Sequence, residues 1–296
     1  MAGAFQIAGF GEVLWDMLPS GKQLGGAPAN FAYFCRVLGA EAHVVSAIGK
    51  DDLGRDILHR LAGLGLNSQN VQPHRDRPTG TVQVRLDAHG IPSYIIHENV
   101  SWDSIELTDQ ISALAPKLDA VCFGTLSQRS QTNRATLDAI LSLTRPGCLR
   151  VFDVNLRQHY YDAPTIRSLL RKCNVLKLND EELPVIATLL AIPMQDERGM
   201  LQELVTRYSL QLAALTRGAR GSRLQTPTQA SEDSGRPVGV RDTVGAGDAF
   251  TASMVMDLLR GTELPRLHHR AARLAEFVCE QNGATPAVDQ VWLQNR

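Results

Sequence analysis

Short apolar runs alternate with stretches of helical periodicity along almost the whole chain, and that alternation decides what it can fold into. Residues 5–10, 42–48, 120–123, 149–154, 175–178 and 212–216 read as buried strands. Residues 27–38, 53–64, 132–144, 164–172, 181–190, 197–208, 246–259 and 265–281 have helical spacing. Gly39 and Gly65 stand where the first two helices should stop. Parallel strands need crossover connections, and helices supply them. The expected fold is therefore α/β: a doubly wound, mostly parallel sheet with helices on both faces. Ligands of such sheets bind outside the carboxyl ends of the strands. With 296 residues the chain is expected to be a single domain, 1–296, carrying an appendage.

One stretch breaks the rhythm. Residues 81–87 and 92–98 are rich in β-formers and flank Ala88-His89-Gly90, a hairpin signal. A further extended run, 13–18, ends at Pro19-Ser20-Gly21. Together they predict a small, discontinuous β lid from about 12–24 and 79–101. An extension of the main sheet's edge is the alternative. Residues 229–237 read as an exposed loop and 237–241 as strand-like.

Composition excludes several classes. The net charge is −1 with no basic or acidic block, which argues against nucleic acid or membrane as the partner. No apolar run approaches the roughly 18 residues of a membrane span. The first residues lack a basic start and a long apolar core, so a cytoplasmic location is expected. Cys35, Cys122, Cys148, Cys173 and Cys279 are scattered, with no C-x-x-C, and read as free buried thiols. There is no P-loop motif, and G-x-G-x-x-G fails after Gly9-Phe10-Gly11. His268-His269 reads as a solvated helix face.

The chemistry concentrates in residues 242–250, Asp-Thr-Val-Gly-Ala-Gly-Asp-Ala-Phe. Gly245, Ala246 and Gly247 precede an acid, Asp248, where a loop enters a helix. Such an end presents unpaired N–H groups and a positive dipole, and it attracts phosphate. An acid there would repel the anion unless it serves as a general base. A helix N-cap is the plainer reading. Gly25-Gly26-Ala27-Pro28-Ala29-Asn30 leads into another helix. Asn30 with Asp16 upstream offers the donors and acceptors that sugar hydroxyls need. Asn179-Asp180-Glu181-Glu182 follows a strand and reads either as a capping box or as a site reaching Mg²⁺ through water. Arg157 closes Asp153-Val-Asn-Leu-Arg and would meet a phosphate, a sugar oxygen or a surface acid. Thr216, Gly218 and Gly221 form a tight turn suited to a flat nucleotide. Gly283-Ala284-Thr285-Pro286 follows the last long helix and would border an adenine pocket or a cation.

Taken in order, these segments resemble the ribokinase-like carbohydrate kinases, the PfkB family. Gly25–Ala32 with Gly39 and Gly49 is similar to its N-terminal signature, and Asp242–Phe250 to its C-terminal one. Asn179-x-x-Glu182 matches its magnesium motif and Thr216-x-Gly218-x-x-Gly221 its nucleotide turn. Gly11-Glu12, Trp15-Asp16, Asn99-x-x-Trp102-Asp103, Gln128-Arg129-Ser130 and Asp153-x-Asn155-Leu156-Arg157 look like the fructokinase branch. The resemblance implies an ATP-dependent sugar kinase. Asp248 would take the proton of a primary hydroxyl, and the N–H groups of Gly245, Ala246, Gly247 and Asp248 would hold the transferred phosphoryl. Asp16, Gly26, Asn30 and Arg157 would orient the sugar, most simply fructose. Asn179, Thr216, Gly218, Gly221 and Gly247 would hold ATP, with Mg²⁺ organised through Asn179 and Glu182. Asp242, the Val244 carbonyl and backbone near Ala284 match the family's monovalent-cation positions, usually K⁺.

Other acceptors keep the same chemistry: ribose, a nucleoside stacking on Tyr94 or Trp102, or a 2-keto-3-deoxy sugar acid paired with Arg85, Arg129 or Arg157. A catalytically idle sugar sensor is the reading from another class. An exposed lid edge would also allow a homodimer.

Overall fold

The alternation is realised almost element for element in the computed structural model, which describes residues 3–19, 21–86, 92–193, 196–289 and 292–293. The first half of the chain gives β1 (Gln6–Phe10), β2 (Leu14–Leu18), β3 (Gly21–Gly25), α1 (Ala27–Val37), β4 (Glu41–Gly49), α2 (Asp52–Gly63), β5 (Val71–His74), β6 (Gly80–Leu86) and β7 (Pro92–Ile96). There follow α3 (Asp109–Leu114), β8 (Ala120–Gly124), α4 (Gln131–Leu143), β9 (Leu149–Asp153), α5 (Ala163–Lys172), β10 (Val175–Asn179), α6 (Glu182–Leu189), α7 (Glu197–Arg207) and β11 (Leu212–Thr216). The chain continues through β12 (Ser222–Gln225), β13 (Ala230–Asp233), α8 (Ala246–Leu259) and α9 (Leu264–Cys279).

The main sheet runs β13-β12-β11-β10-β9-β8-β1-β4-β5. Every pairing from β5 to β11 is parallel, while β12 and β13 add an antiparallel edge. Successive strand residues face opposite layers, as the pleat requires. Ile7, Cys122 and Val151 join the core under α1, α8 and α9, whereas Phe10, Phe123 and Phe152 join the core of the other face. Phe123 and Phe152 stack at 5.9 Å between ring centroids.

Two expectations fail at the same edge. Residues 237–241 form no strand, and the expected loop at 229–237 contains β13. The reason is pairing: β13 is short and polar, but it folds back on β12 through Thr226 and Gln229. His268, expected on a solvated face, is buried at 1% exposure. Its ring nitrogens lie 2.8 Å from the Ser222 and Ser231 hydroxyls. Burial pushes its pKa down to about 4, so the ring is neutral and fastens α9 to the edge strands. His269 stays exposed. Cys35, Cys122, Cys148 and Cys173 are buried free thiols as expected, and Cys279 is half-buried.

The 14–25 and 80–96 segments form a separate four-stranded sheet, β3-β2-β6-β7, rather than an edge extension. The Ala88-His89-Gly90 turn, Ser20 and the side chains of Arg85 and Tyr94 lie outside the described residues. The small sheet is fastened to the main body by Arg129. Its Nε lies 2.7 Å from Asp103 Oδ1, one NH₂ group donates to Asp103 Oδ2 at 2.9 Å, and the same group donates to the His97 carbonyl, just past β7, at 2.7 Å. The guanidinium is sandwiched between the Trp102 ring, 4.1 Å away, and the Tyr160 ring, 4.7 Å away. Both ends of this pair are buried, the side chains being 9% and 8% exposed. Replacing Arg129 by Met leaves the Asp103 carboxylate buried and unpaired, a change that costs about 3–5 kcal/mol. Urea denaturation of Arg129→Met is expected to show that loss; a change below about 1 kcal/mol would mean the pair is screened like a surface ion pair.

Candidate active site

The strand register brings the polar residues to one edge. Gly124 is level with Asp153, Asp153 with Lys177, and Asn179 with Thr216, all at the carboxyl ends of β8 to β11. Asp153 and Lys177 are both buried, and their charges meet at 3.0 Å. Burial works against the Lys177 charge, but Asp153, Glu182 and Asp248 around it raise its pKa overall. The Thr251 hydroxyl, one turn into α8, lies 3.0 Å from both Asp153 Oδ2 and the Gly247 carbonyl.

Above this cluster stands the mouth of α8. Gly245 is its N-cap, at φ 83° in the left-handed region. A side chain there would also collide with the Ala284 carbonyl, so only glycine satisfies both the dihedral and the contact. The Ala246 N–H closes a turn onto the Thr243 carbonyl at 3.2 Å. The N–H groups of Gly247 and Asp248 belong to the first turn and have no intrahelical carbonyl to reach. Lys177 Nζ approaches Gly247 closely, so a fixed positive charge lies beside this mouth.

Asp248 is half-buried, and its Oδ2 accepts from Asn30 Nδ2 at 2.8 Å. Burial and the neighbouring Asp153 charge push its pKa up to about 7, against the pull of Asn30, Lys177 and Arg157. Asn30 is buried at 3% exposure, and its Oδ1 has no hydrogen-bond partner among the described residues. Asp16 lies in the middle of β2, opposite Gln23 of β3, its carboxylate occupying the room left by Gly25. Burial lifts Asp16 to about 6, with Arg157 opposing. Gly26 caps α1 at φ 116°, pressed against the Glu12 carbonyl where a side chain would clash. Arg157 is exposed, and its field acts on Glu12, Asp16 and Asp248 alike.

Asn179 is level with Thr216 at the same sheet edge, and the Glu182 charge acts on Lys177. Asn179 Oδ1 accepts from the N–H groups of Glu181 and Glu182 at 3.0 and 2.8 Å. Glu182 returns the contact: its Oε2 accepts from Asn179 N at 2.9 Å, and Oε1 from Leu156 N at 2.8 Å. This is the reciprocal arrangement of a capping box. Thr216 ends β11, and Gly218 and Gly221 flank a single 3₁₀ turn beyond it. Asp242 accepts from Val244 N and Gly283 N, both at 3.0 Å, and so clips the anion loop to the segment carrying Ala284. Arg129 is not free for a sugar acid, because Asp103 neutralises it.

Sequence reasoning assigned no role to Lys177, Asp153, Thr251 or Glu12. The signal for Lys177 was a lone cation in the otherwise apolar run 175–178. Glu12 is 5% exposed, its Oε2 has no partner among the described residues, and burial raises it to about 7.

Two outcomes follow from this geometry. Gly245→Ala is expected to lower kcat by roughly 10²–10³-fold, the effect of displacing an oxyanion donor, in steady-state assays; a loss under threefold would mean the loop tolerates the shift. The second concerns stability. Asp248 binds its proton more tightly in the folded protein than at its ordinary value of 3.8. The resulting stability is complete below that value and is lost as pH rises through about 7. Asp248→Asn is therefore expected to raise Tm at pH 8 and to leave it nearly unchanged at pH 3.5, and equal shifts at both would remove the argument.

A model of the pfkB family carbohydrate kinase matches residues 20–290. A protein named fructokinase from Klebsiella pneumoniae is 30% identical over 260 residues, covering 84% of this chain and 82% of its own. A fructokinase from Xylella fastidiosa, solved with bound ATP, superposes with a TM-score of 0.82 at 23% identity over 95% of this chain and 94% of that one. A double-mutant fructokinase from Vibrio cholerae O395, solved with fructose, ADP and potassium ion, gives a TM-score of 0.80 at 21% identity over 100% and 99% of the two chains. The family signatures, the sheet order and the residues gathered at its carboxyl edge agree: this chain belongs to the pfkB family of carbohydrate kinases.

Proposed function

We propose that this enzyme transfers the γ-phosphoryl group of ATP to a primary hydroxyl of a sugar, with fructose as the acceptor. The observation that carries this reading is Asp248: a carboxylate fixed by Asn30 at the open end of a helix, beside the Lys177 ammonium. Asp248 takes the hydroxyl proton as the sugar oxygen forms its bond to the γ-phosphorus, and the bond to ADP breaks. The N–H groups of Gly247 and Asp248, together with Lys177, face the charge that develops on the transferred group. Its pKa of about 7 suits the task, since a base works best near the working pH. Asp16, Asn30 and the Gly26 backbone orient the sugar, with Arg157 over it. The unpartnered Asn30 Oδ1 is an acceptor waiting for a hydroxyl.

Thr216, Gly218 and Gly221 form the nucleotide turn. A bound Mg²⁺ would supply positive charge to the nucleotide phosphates. Both oxygens of Glu182 already accept from backbone, and no cluster of three ligating side chains exists among the described residues. The donor set therefore fits a metal held by phosphates and water, with Asn179 and Glu182 reached through that water. Asp242, the Val244 carbonyl and backbone near Ala284 would hold a monovalent cation, and the structural neighbour solved with potassium ion supports K⁺. The small sheet acts as the lid that excludes water from the phosphoryl group. The fructokinase name of the Klebsiella relative supports fructose over ribose or a nucleoside, and the committed Arg129 removes one of the three cations a sugar acid would pair with.

Assaying fructose, ribose, adenosine and 2-keto-3-deoxygluconate with wild type and Asp248→Asn tests this. Fructose is expected to give the highest kcat/KM, with kcat lowered roughly 10²–10⁴-fold in the variant. The wild-type kcat/KM is expected to rise with pH through about 7, because the base acts deprotonated. No product from any acceptor, with equal fructose binding by both proteins, makes the chain a sugar sensor instead.

A further inference from the structure

A second cavity lies at the far end of α1 from Asn30, among the C-terminal ends of α1, α2 and α8. Its volume is about 930 Å³, within the range of about 300–1,000 Å³ for small-molecule sites. Arg36, Arg60, Arg260 and Arg270 line it, and among the described residues no acid does. Asp257 lies behind the lining, fully buried, and pairs with Arg260 at 3.2 Å and Arg270 at 3.1 Å. It neutralises one charge of the four. Arg260 also donates to the Leu38 carbonyl at 2.6 Å, and Arg36 Nε to the Gly65 carbonyl at 3.3 Å. Three helix ends contribute roughly half a negative charge each, which does not cancel the surplus. Asp257 pairs with Arg260 and Arg270, not with Arg36 or Arg60. Guanidinium forks match phosphate oxygens in geometry as well as charge. Leu64 and Val288 give the cavity an apolar wall against which an organic portion would rest.

This cavity is joined to the anion loop by one short segment. Thr285, Ala287 and Val288 line it, while Ala284 packs on Gly245 and Gly283 is clipped to Asp242. The Tyr33 hydroxyl, also in the lining, donates to the Pro286 carbonyl at 2.7 Å, and Tyr33 stands one turn after Asn30. We propose that the cavity is an effector site for a phosphorylated small molecule, which sets the position of the 283–288 segment and through it the anion loop. The coupling rests on the kinase reading above; the binding does not.

The test uses the intact protein saturated with Mg²⁺ and a non-hydrolysable ATP analogue, so that the nucleotide cleft is filled. Pyrophosphate, glucose 6-phosphate and AMP are titrated calorimetrically into wild type and Arg36→Ser/Arg60→Ser. One of the three is expected to bind wild type at a single site and to bind the double variant at least tenfold more weakly. The same compound is expected to change the wild-type KM for ATP by more than twofold and to leave the variant's KM unaltered. Without any probe, the two proteins should agree in kcat/KM within twofold, as neither arginine touches the cleft. Absence of binding by all three, equal affinity in both proteins, or binding without any change in KM overturns the proposal. If the protein phosphorylates nothing, the calorimetry still decides the binding, so failure of the kinase reading is separable from failure of the site.

Discussion

The buried contact between Asp153 and Lys177 is the constraint on which the active edge depends. Two charges withdrawn from water cost several kcal/mol each unless they meet in good geometry. Here they meet at 3.0 Å at the ends of neighbouring strands, and Thr251 adds a hydroxyl to the carboxylate. The contact therefore ties β9, β10 and α8 together at one point. It also sets the local field: Asp153 raises the affinity of Asp248 for its proton, and Lys177 lowers it. Removal of either charge would leave the other buried and would shift Asp248 at the same time. Stability and chemistry are not separable at this point of the fold.

A second consequence of burial is the set of three carboxyl groups, Glu12, Asp16 and Asp248, each held above its ordinary range. They come from three different elements, and Arg157 is the cation whose field reaches all of them. Its guanidinium is exposed, so a bound ligand that desolvates it would strengthen that field.

Much of this was legible before any coordinates. Each parallel strand announced itself because a strand buried on both faces is a short apolar run. The α8 entrance was legible because Gly245 and Gly247 mark a loop that enters a helix. What stayed hidden depended on partners distant in sequence. β13 is polar on both faces and is a strand only because β12 lies beside it. His268 looks solvated beside His269 until Ser222 and Ser231 close over it. Arg129 reads as an available cation, yet Asp103, Trp102 and Tyr160 enclose it. Asn179 and Glu182 read in the sequence as a capping box or as an approach to Mg²⁺ through water, and the geometry builds the capping box.

The packing of Ala284 on Gly245 has a temporal side. The loop at the mouth of α8 is held from behind by a segment made 39 residues later, and Asp242 is clipped to that same segment. A nascent chain that has completed the core of the other face still lacks this brace, and the core under α1, α8 and α9 is itself unfinished, since it draws on Val288 and Leu293. Synthesis can thus fold much of the sheet before the loop at the mouth of α8 is fixed, which waits until residue 284 has left the ribosome and docked.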